Sequence, residues 1–270
     1  MSTDPLASSV YYPRFAGRQV REALADTPVV AVNGARQVGK STLVTDLLDG
    51  GVGTKFVTLD DETQLSAAYA DPATFVQHDG LLVVDEVQRC PDLLPAIKAE
   101  VDRDRRPGRF LLTGSTRLLS TPEMSASLAG RVEIVDLWPL SQGELGRHRE
   151  DFVDAVLAWD ETLDHESELE RAEYIERECA GGFPEPLGRQ GRRRHSWFAN
   201  YATTVVERMV ADVADIARLT AMPGLLRLCA ARTANELKVQ DIARDLGLPP
   251  RTVSTYLTHL QTVFLVHLVP

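Results

Sequence analysis

A glycine-rich segment near the start of the chain carries the clearest chemical signature in the sequence. It fits the pattern G-x-x-x-x-G-K-[ST], in which tight backbone turns aim N–H groups at phosphate oxygens. A helix expected directly after it adds the positive end of its dipole. In such a phosphate loop the lysine reaches the β- and γ-phosphates, and the serine hydroxyl binds Mg²⁺. The residues predicted to bind the nucleotide are Gly34, Ala35, Arg36, Gln37, Val38, Gly39, Lys40, Ser41 and Thr42.

Two adjacent carboxylates, Asp85 and Glu86, follow an apolar run about 45 residues after the phosphate loop. A solvated acidic pair on the surface is the alternative interpretation. The position directly after a buried strand favours chemistry, because ligands of open α/β sheets bind at the carboxyl ends of the strands. We predict that Ser41 and Asp85 hold Mg²⁺, and that Glu86 is the general base that polarises the attacking water.

A second apolar run ends in small polar residues. Thr113 and Ser115 follow Phe110–Leu112, so either hydroxyl could lie near the γ-phosphate if this strand neighbours the one that ends at Asp85. Both are predicted catalytic residues with this sensing role. An ordinary polar turn after a strand is the alternative.

An arginine follows the small-residue turn Leu128–Gly130. Arg131 could stabilise transition-state charge in the same chain or across a subunit interface, and it completes the predicted catalytic set. A salt-bridged or exposed arginine is the alternative. Arg36 lies inside the phosphate loop, where it contacts either the nucleotide or only solvent.

These residues require a scaffold that brings distant segments together. Short apolar runs alternate with helical stretches such as Ser41–Leu48 and Leu93–Val101. Near-continuous apolar strands between helices are typical of a parallel sheet that is covered on both faces, which predicts an α/β fold. The predicted strands are Val29–Val32, Lys55–Leu59, Leu81–Val84, Phe110–Leu112 and Val132–Leu137.

Several of these motifs together resemble a known family. The runs G-A-R-Q-V-G-K-S-T, L-V-V-D-E-V-Q-R-C-P, F-L-L-T-G-S-T and S-L-A-G-R-V-E-I-V-D-L-W-P-L-S are similar to those of the bacterial and archaeal AAA-type ATPases paired with the DUF4143 domain. Tyr12-Pro13-Arg14 resembles the N-terminal Y-x-P-R of that family, with one residue fewer in the gap. The resemblance implies ATP binding and hydrolysis on a P-loop sheet with an additional strand (AAA+-like). It supplies no biological substrate.

The resemblance also raises an expectation about the end of the chain. Family members usually continue beyond a segment like the last apolar run, which predicts a product truncated at its C-terminus. The run Val263–Pro270 is expected to be an apolar strand without a neighbour. A naturally short member whose last strand pairs elsewhere is the alternative.

Charge divides the chain into three parts. Residues 1–148 carry 15 basic and 20 acidic groups and form the predicted P-loop domain. Residues 149–191 carry 4 basic and 13 acidic groups and are expected to form an acidic helical lid or connector. Residues 192–270 carry 10 basic and 6 acidic groups and are expected to form a helical C-terminal module that is incomplete.

The C-terminal module contains a candidate DNA-binding element. Residues 224–262 resemble a winged helix-turn-helix, with helices expected at Leu225–Glu236, Val239–Leu246 and Arg251–Thr262, after a long helix from Trp197 to about Leu219. Arg251, Thr252, Thr255 and Thr258 would face the groove, and Arg192–Arg194 could contact the phosphate backbone. Internal packing, a protein partner or self-association is the favoured alternative.

Other features exclude several classes of protein. Three well-separated cysteines and six scattered histidines show no metal-ligand spacing, and the cysteines are expected to be reduced thiols. No apolar run is long enough to span a bilayer and no signal peptide is visible, so we expect a cytoplasmic protein without membrane contact. No serine lies in a G-x-S-x-G context.

The sequence therefore predicts an enzyme: a protein that binds ATP and Mg²⁺ and couples hydrolysis to an unknown macromolecule. GTP is not excluded, because no base-reading motif is visible. Two alternatives stay open. One is a DNA-binding regulator gated by nucleotide with slow turnover, and the other is a truncated remnant that binds ATP with little turnover.

Overall fold

Five parallel strands form one sheet in the computed structural model, which describes residues 11–48, 53–117, 128–158, 168–206 and 221–269. The sheet order is β2-β3-β4-β1-β5, and every strand pairs in parallel with its neighbours. The predicted α/β class with a parallel sheet is thus confirmed. The strands are β1 Val29–Gly34, β2 Lys55–Thr58, β3 Leu82–Asp85, β4 Phe110–Gly114 and β5 Val132–Leu137.

Alternation of side chains along each strand divides the core of this domain into two layers. In β1, Val29 and Ala31 belong to one buried cluster, whereas Val30 and Val32 belong to another. Strands β3 and β4 alternate in the same way, because successive side chains of a strand point to opposite faces. Both faces are therefore covered, which explains why these strands are apolar at nearly every position.

The helices of the first half connect these strands. Helices α2 and α5 lie where the sequence predicts them, and α1 and α3 were not predicted. Side chains cap some of these helices. Asp61, for example, accepts hydrogen bonds from the backbone N–H groups of Thr63 and Gln64 at the start of α3. These helices are α1 Ala16–Asp26, α2 Lys40–Leu48, α3 Glu62–Ala70, α4 Pro72–Phe75 and α5 Leu93–Arg103, and a 3₁₀ turn covers Val87–Arg89.

Every regular element that the structure describes after β5 is a helix. The predicted helix Leu225–Glu236 both begins and ends earlier, at Met222 and Ala230, and the predicted long helix begins earlier, with its described part at Gly191–Thr204. Trp159 and the predicted continuation to Leu219 lie outside the described residues. The helices are α6 Gln142–Gly146, α7 Phe152–Ala158, α8 Arg171–Ala180, α9 Pro184–Leu187, α10 Gly191–Thr204, α11 Met222–Ala230, α12 Val239–Leu246 and α13 Pro250–Thr262.

The expected strand at the end of the chain is wrong over residues 263–269, which form no strand. Instead, the segment folds back onto the first domain. Phe264 packs against Trp138 with ring centroids 5.8 Å apart, and His267 also contacts that ring. The backbone N–H of Arg117 donates to the Thr262 carbonyl at 3.1 Å. Phe264 is half-buried by this packing and Val263 is buried, whereas Leu268 and Val269 stay exposed.

Helices α11, α12 and α13 pack around one apolar cluster. Leu225, Ile242, Val253 and Leu260 are all fully buried in it. Gly247 joins α12 to α13 in a left-handed conformation with φ of 64°, the conformation that glycine tolerates best. Three packed helices thus lie where the winged helix-turn-helix is predicted, the described residues contain no strand there that would form a wing, and the winged helix-turn-helix stays a prediction. In addition, no helix of the described residues is both long and apolar enough to cross a bilayer.

A buried ion pair connects the N-terminal segment to the phosphate loop. Arg14 Nε donates to Glu144 Oε1 at 3.1 Å, and both side chains are only 6% exposed. The same guanidinium donates to the carbonyls of Val38, inside the loop, and Trp138. Glu144 also accepts from the backbone N–H of Phe15. This pair therefore fixes the outer side of the loop relative to β5 and α6.

We expect Glu144→Ala to lower the free energy of unfolding by about 3–5 kcal/mol, because the variant leaves the buried Arg14 charge without its partner. Urea unfolding measures the difference. The matched control is Glu22→Ala, which breaks the exposed pair Arg18–Glu22 and should cost less than about 1 kcal/mol. Equal losses in the two variants would show that the Arg14–Glu144 pair does not hold the segment.

Candidate functional site

The phosphate loop connects β1 to α2 in a conformation that depends on its glycines. A side chain at Gly34 would meet the Leu137 carbonyl oxygen at 2.5 Å, so the loop can lie against β5 only without one. Gly39 adopts φ of 100°, which residues with side chains rarely adopt. Glycine is thus required at position 34 by the close approach of the Leu137 carbonyl, and at position 39 by the backbone conformation.

Lys40 lies inside this loop. Its ammonium is buried and donates to the carbonyls of Gly34 and Ala35, both at 3.0 Å. Burial lowers the pKa of Lys40 from its ordinary value, while the nearby carboxylates of Glu86 and Asp85 oppose that shift. A buried ammonium that faces backbone carbonyls and carboxylates can neutralise an anion at the loop with little rearrangement.

Asp85 is the centre of the hydrogen bonds at the carboxyl edge of the sheet. Its buried carboxylate accepts from Ser41 Oγ, at 3.1 Å to each oxygen. The hydroxyl of Thr113 also donates to it, as does that of Thr58 at 3.3 Å. The donors come from α2, β4 and β2, so this one carboxylate is contacted from three separate elements.

Glu86 follows directly in a left-handed conformation, with φ of 56°. Its carboxylate oxygen Oε2 accepts from Ser115 Oγ at 3.0 Å and from the amide of Gln88. The Gln88 amide also donates to Ser115 Oγ at 3.0 Å. Left-handed backbone is uncommon for a residue with a side chain and recurs at functional sites. Here it turns Glu86 away from the path of β3 and towards the hydroxyl of Ser115.

The sheet order explains why these groups meet. Strand β4 lies between β1, which leads into the phosphate loop, and β3, which ends at Asp85. Thr113 on β4 therefore contacts both carboxyl-edge groups: it donates to Asp85 and accepts from the Glu86 backbone N–H at 3.2 Å. The structure thus brings Ser41, Asp85, Glu86, Thr113 and Ser115 together, as the sequence predicts.

Arg131 lies elsewhere. It precedes β5, whose first residue pairs with Val29, whereas the phosphate loop begins where β5 ends. Five strand steps of about 3.3 Å, roughly 16 Å, separate the two ends. Its guanidinium instead forms an ion pair with Asp102 at 2.6 Å. The structure does not bring Arg131 to the site of its own chain, and a role across a subunit interface stays a prediction.

The second half of the chain contacts the loop through an aromatic residue. Tyr201 Oη donates to the Arg36 carbonyl at 2.9 Å. Burial raises the pKa of this phenol to about 12, so it remains a donor at neutral pH. Tyr201 packs with Trp197 and Phe183, at ring-centroid distances of 5.0 Å to each. The Arg36 side chain is exposed, as one of its two interpretations expected.

A small cleft of about 170 Å³ lies beside the loop. Tyr12 and Pro184 line it from the N-terminal segment and from α9, and Gly39 and Thr42 line it from the loop. The cleft thus lies directly beside the start of α2.

Sequence reasoning missed three groups that contact the site. Thr58 and Gln88 contact the two carboxylates, and Tyr201 contacts the loop from 165 residues away. Gln88 lies in the run D-E-V-Q, whose spacing to Glu86 is visible in the sequence. The other two depend on tertiary contacts that carry no local pattern.

The side chains of α13 that are predicted to contact DNA differ in their exposure, and two of them already form hydrogen bonds within the helix. Arg251, Thr255 and Thr258 are exposed, and Thr252 is half-buried. The hydroxyls of Thr255 and Thr258 donate to backbone carbonyls of their own helix, at 3.1 Å each. Arg194, which was grouped with Arg192 and Arg193, is buried and pairs with Glu176 at 2.7 Å. The basic run therefore does not act as one surface.

Two family models match separate parts of the chain. Residues 26–146 match an AAA domain. Residues 171–270 match a domain of unknown function, DUF8612. The resemblance implied a DUF4143 domain, and this comparison does not support that pairing. The second match begins within the predicted connector 149–191.

Two curated relatives are each 30% identical to the chain over 256 residues. They are the uncharacterized proteins Rv2008c of Mycobacterium tuberculosis and Mb2031c of Mycobacterium bovis. The alignments cover 94% of this chain and 52% of each relative, so the chain spans about half their length.

A solved structure shares the fold. The Walker-type ATPase PABY2304 of Pyrococcus abyssi aligns with a TM-score of 0.52 and 15% identity, over 94% of this chain and 90% of that chain. Residues 26–146, which match the AAA domain, thus contain the whole five-stranded parallel sheet and the phosphate loop.

Proposed function

We propose that the protein binds Mg-ATP at the phosphate loop and hydrolyses it. The observation that carries this proposal is the position of Ser41 and Glu86 beside Asp85. The loop hydroxyl lies 3.1 Å from both Asp85 oxygens, and the adjacent Glu86 is turned towards Ser115. Phosphate binding, metal binding and base catalysis can thus occur at a single edge of the sheet.

The loop supplies the phosphate contacts in this proposal. Backbone N–H groups at the start of α2 face the phosphates, where the helix dipole favours negative charge. Lys40 exchanges its two carbonyl partners for phosphate oxygens. This exchange is favourable because the buried ammonium gains a full anionic partner instead of two neutral dipoles.

Ser41 and Asp85 fit a Mg²⁺ ion. A hydroxyl and a carboxylate are hard oxygen donors, the type that Mg²⁺ prefers, and phosphate oxygens and water complete such sites. Among the described residues no cluster of three or more His, Cys, Asp or Glu could hold a metal by itself, which agrees with an ion shared with a nucleotide. When bound, the ion neutralises charge on the phosphates.

Glu86 is the proposed general base. Its carboxylate accepts the proton of a water molecule as the water oxygen attacks the γ-phosphorus and the bond to the β-phosphate oxygen breaks. The products are ADP and phosphate. Thr113 and Ser115 position the two carboxylates through their hydroxyls, which is how we now interpret their predicted sensing role.

The cleft that Tyr12 and Pro184 line is the proposed place of the base and ribose. Its position next to Gly39 and Thr42 supports this assignment. No side chain there distinguishes adenine from guanine by a visible hydrogen-bond pattern, so ATP is assigned from the family match alone.

We expect Mg-ATP to raise the melting temperature of the parent protein and to have no effect on Lys40→Ala. A ligand at 100 times its dissociation constant adds about 2.7 kcal/mol to the free energy of unfolding. Differential scanning fluorimetry with and without Mg-ATP measures the shift. Lys98→Ala is the matched control, because this lysine is half-buried, lies outside the phosphate loop and pairs with Asp102. An unchanged melting temperature of the parent at saturating Mg-ATP would refute nucleotide binding.

We expect Glu86→Gln to keep the affinity for Mg-ATP and to hydrolyse it about 10²–10⁴-fold more slowly, the usual contribution of a general base. Asp85→Asn should instead weaken the affinity for Mg²⁺ in the presence of ATP. Phosphate release gives the rates, and a magnesium titration gives the metal affinity. Parental turnover by Glu86→Gln would show that another group takes the proton.

A further inference from the structure

A cavity of about 710 Å³ lies between helix α10 and the tip of the phosphate loop. Its volume is in the range of ordinary ligand sites, which enclose about 300–1,000 Å³. From the loop it is lined only by Arg36 and Gln37. From the second domain it is lined by Arg192, Arg193, Trp197 and Tyr201, among others.

The cavity is rich in uncompensated positive charge. Arg36, Arg192 and Arg193 form no ion pair with any described residue, and no carboxylate of the described part of the chain lines the cavity. A fourth lining arginine, Arg189, is paired with Glu185. Arg192 and Arg193 also lie in the first turn of α10, where the helix dipole disfavours cations. Like charges gathered at this cost indicate a site for an anion.

This cavity meets the phosphate loop at Arg36 and Gln37, two of the predicted nucleotide-binding residues, but not at the residues to which the proposed function assigns the phosphates and Mg²⁺. Lys40 and Ser41 do not line it, and Lys40 points to the carbonyls of Gly34 and Ala35 inside the loop. The cleft next to Gly39 and Thr42 shares none of the lining residues of the cavity. Gly39 and Thr42 of the loop thus line the cleft of the proposed nucleotide site, whereas Arg36 and Gln37 at its tip line the cavity.

The chemistry of the lining favours nucleic acid over other anions. Guanidinium groups bind phosphate in a bidentate way that a single ammonium cannot. The rings of Trp197 and Tyr201 are stacked, with centroids 5.0 Å apart, and both line the same cavity. Arginines beside aromatic rings are the combination with which proteins hold unpaired bases and the strand that carries them.

We propose that this arginine cavity binds a single-stranded nucleic acid, with Arg36, Arg192 and Arg193 on its phosphates and Trp197 beside a base. The cavity opens to solvent and has room for a few nucleotides of one strand, and its aromatic rings can stack only on bases that are not paired in a duplex. The proposal does not depend on nucleotide binding or hydrolysis at the phosphate loop.

Fluorescence anisotropy of the full chain with a labelled oligothymidylate tests the proposal. Between about 50 and 200 mM salt, each phosphate contact to a single strand contributes about 0.7 to the slope of log K against log salt. We expect Arg192→Ala/Arg193→Ala to bind at least tenfold more weakly at the lower salt concentration and to reduce the slope by about 1.4. Both side chains are exposed, so the variant should fold, which its melting temperature checks.

The matched control is Arg18→Ala/Arg105→Ala, which makes the same change in net charge at two exposed arginines remote from the cavity. It should bind the oligonucleotide like the parent. Lys40→Ala should also keep this binding, which separates the present proposal from failure of the nucleotide site. Trp197→Ala should weaken binding about tenfold if the ring contacts a base.

Three outcomes would overturn the proposal. The first is no oligonucleotide binding by the parent, and the second is equal affinity and slope in the parent and Arg192→Ala/Arg193→Ala. The third is tighter binding of a polyglutamate peptide, lost in that same variant, which would make the cavity a site for acidic protein segments instead.

Discussion

The buried carboxylate of Asp85 determines how the carboxyl edge of the sheet is arranged. A carboxyl group that is removed from water must be hydrogen-bonded, or it would destabilise the fold. Hydroxyls of Ser41, Thr58 and Thr113 meet this requirement. Because these donors come from three elements, the same interactions bring the start of α2 next to β4 and β2. One set of hydrogen bonds thus compensates for the burial of Asp85 and also arranges the residues of the proposed binding site.

The phosphate loop is held from two further directions. Arg14 and Glu144 fix the Val38 carbonyl from the N-terminal segment, and Tyr201 binds the Arg36 carbonyl from the second domain. The loop is therefore in contact with both the N-terminal segment and α10. Tyr201 belongs to α10, which lines the proposed nucleic-acid cavity, so a ligand there that moved α10 would also move the Tyr201–Arg36 contact. Under the two proposals, binding at the two places would then be linked, and such linkage is reciprocal.

The sequence was sufficient for the parts of the site that depend on local patterns. The phosphate loop, the carboxylates after β3 and the hydroxyls after β4 could all be found, because each follows an apolar run that must be a buried strand. The parallel sheet then requires their ends to meet. The position of a residue along its strand was harder to predict. Arg131 follows a small-residue turn in the sequence, yet it directly precedes β5, at the end of that strand remote from the phosphate loop, and pairs with Asp102.

The contacts that sequence reasoning missed connect segments that are remote along the chain. Arg14 and Glu144 are 130 residues apart, and Tyr201 and Arg36 are 165 residues apart. No periodicity or spacing carries such information. The end of the chain illustrates the same limit: residues 263–269 have the composition of a strand, but contact with Trp138 and Arg117 gives them another conformation.

In the proposed function, Ser41 and Asp85 bind the same metal ion of a single metal–nucleotide complex. The direct test is a double-mutant cycle on the dissociation constant of Mg-ATP, with Ser41→Ala, Asp85→Asn and the double variant. Groups that share one ligand network are coupled by about 0.5–3 kcal/mol, whereas independent sites add within about 0.5 kcal/mol. We predict coupling within the first range, so the double variant should lose much less affinity than the two single losses combined. Losses that simply add would contradict the account.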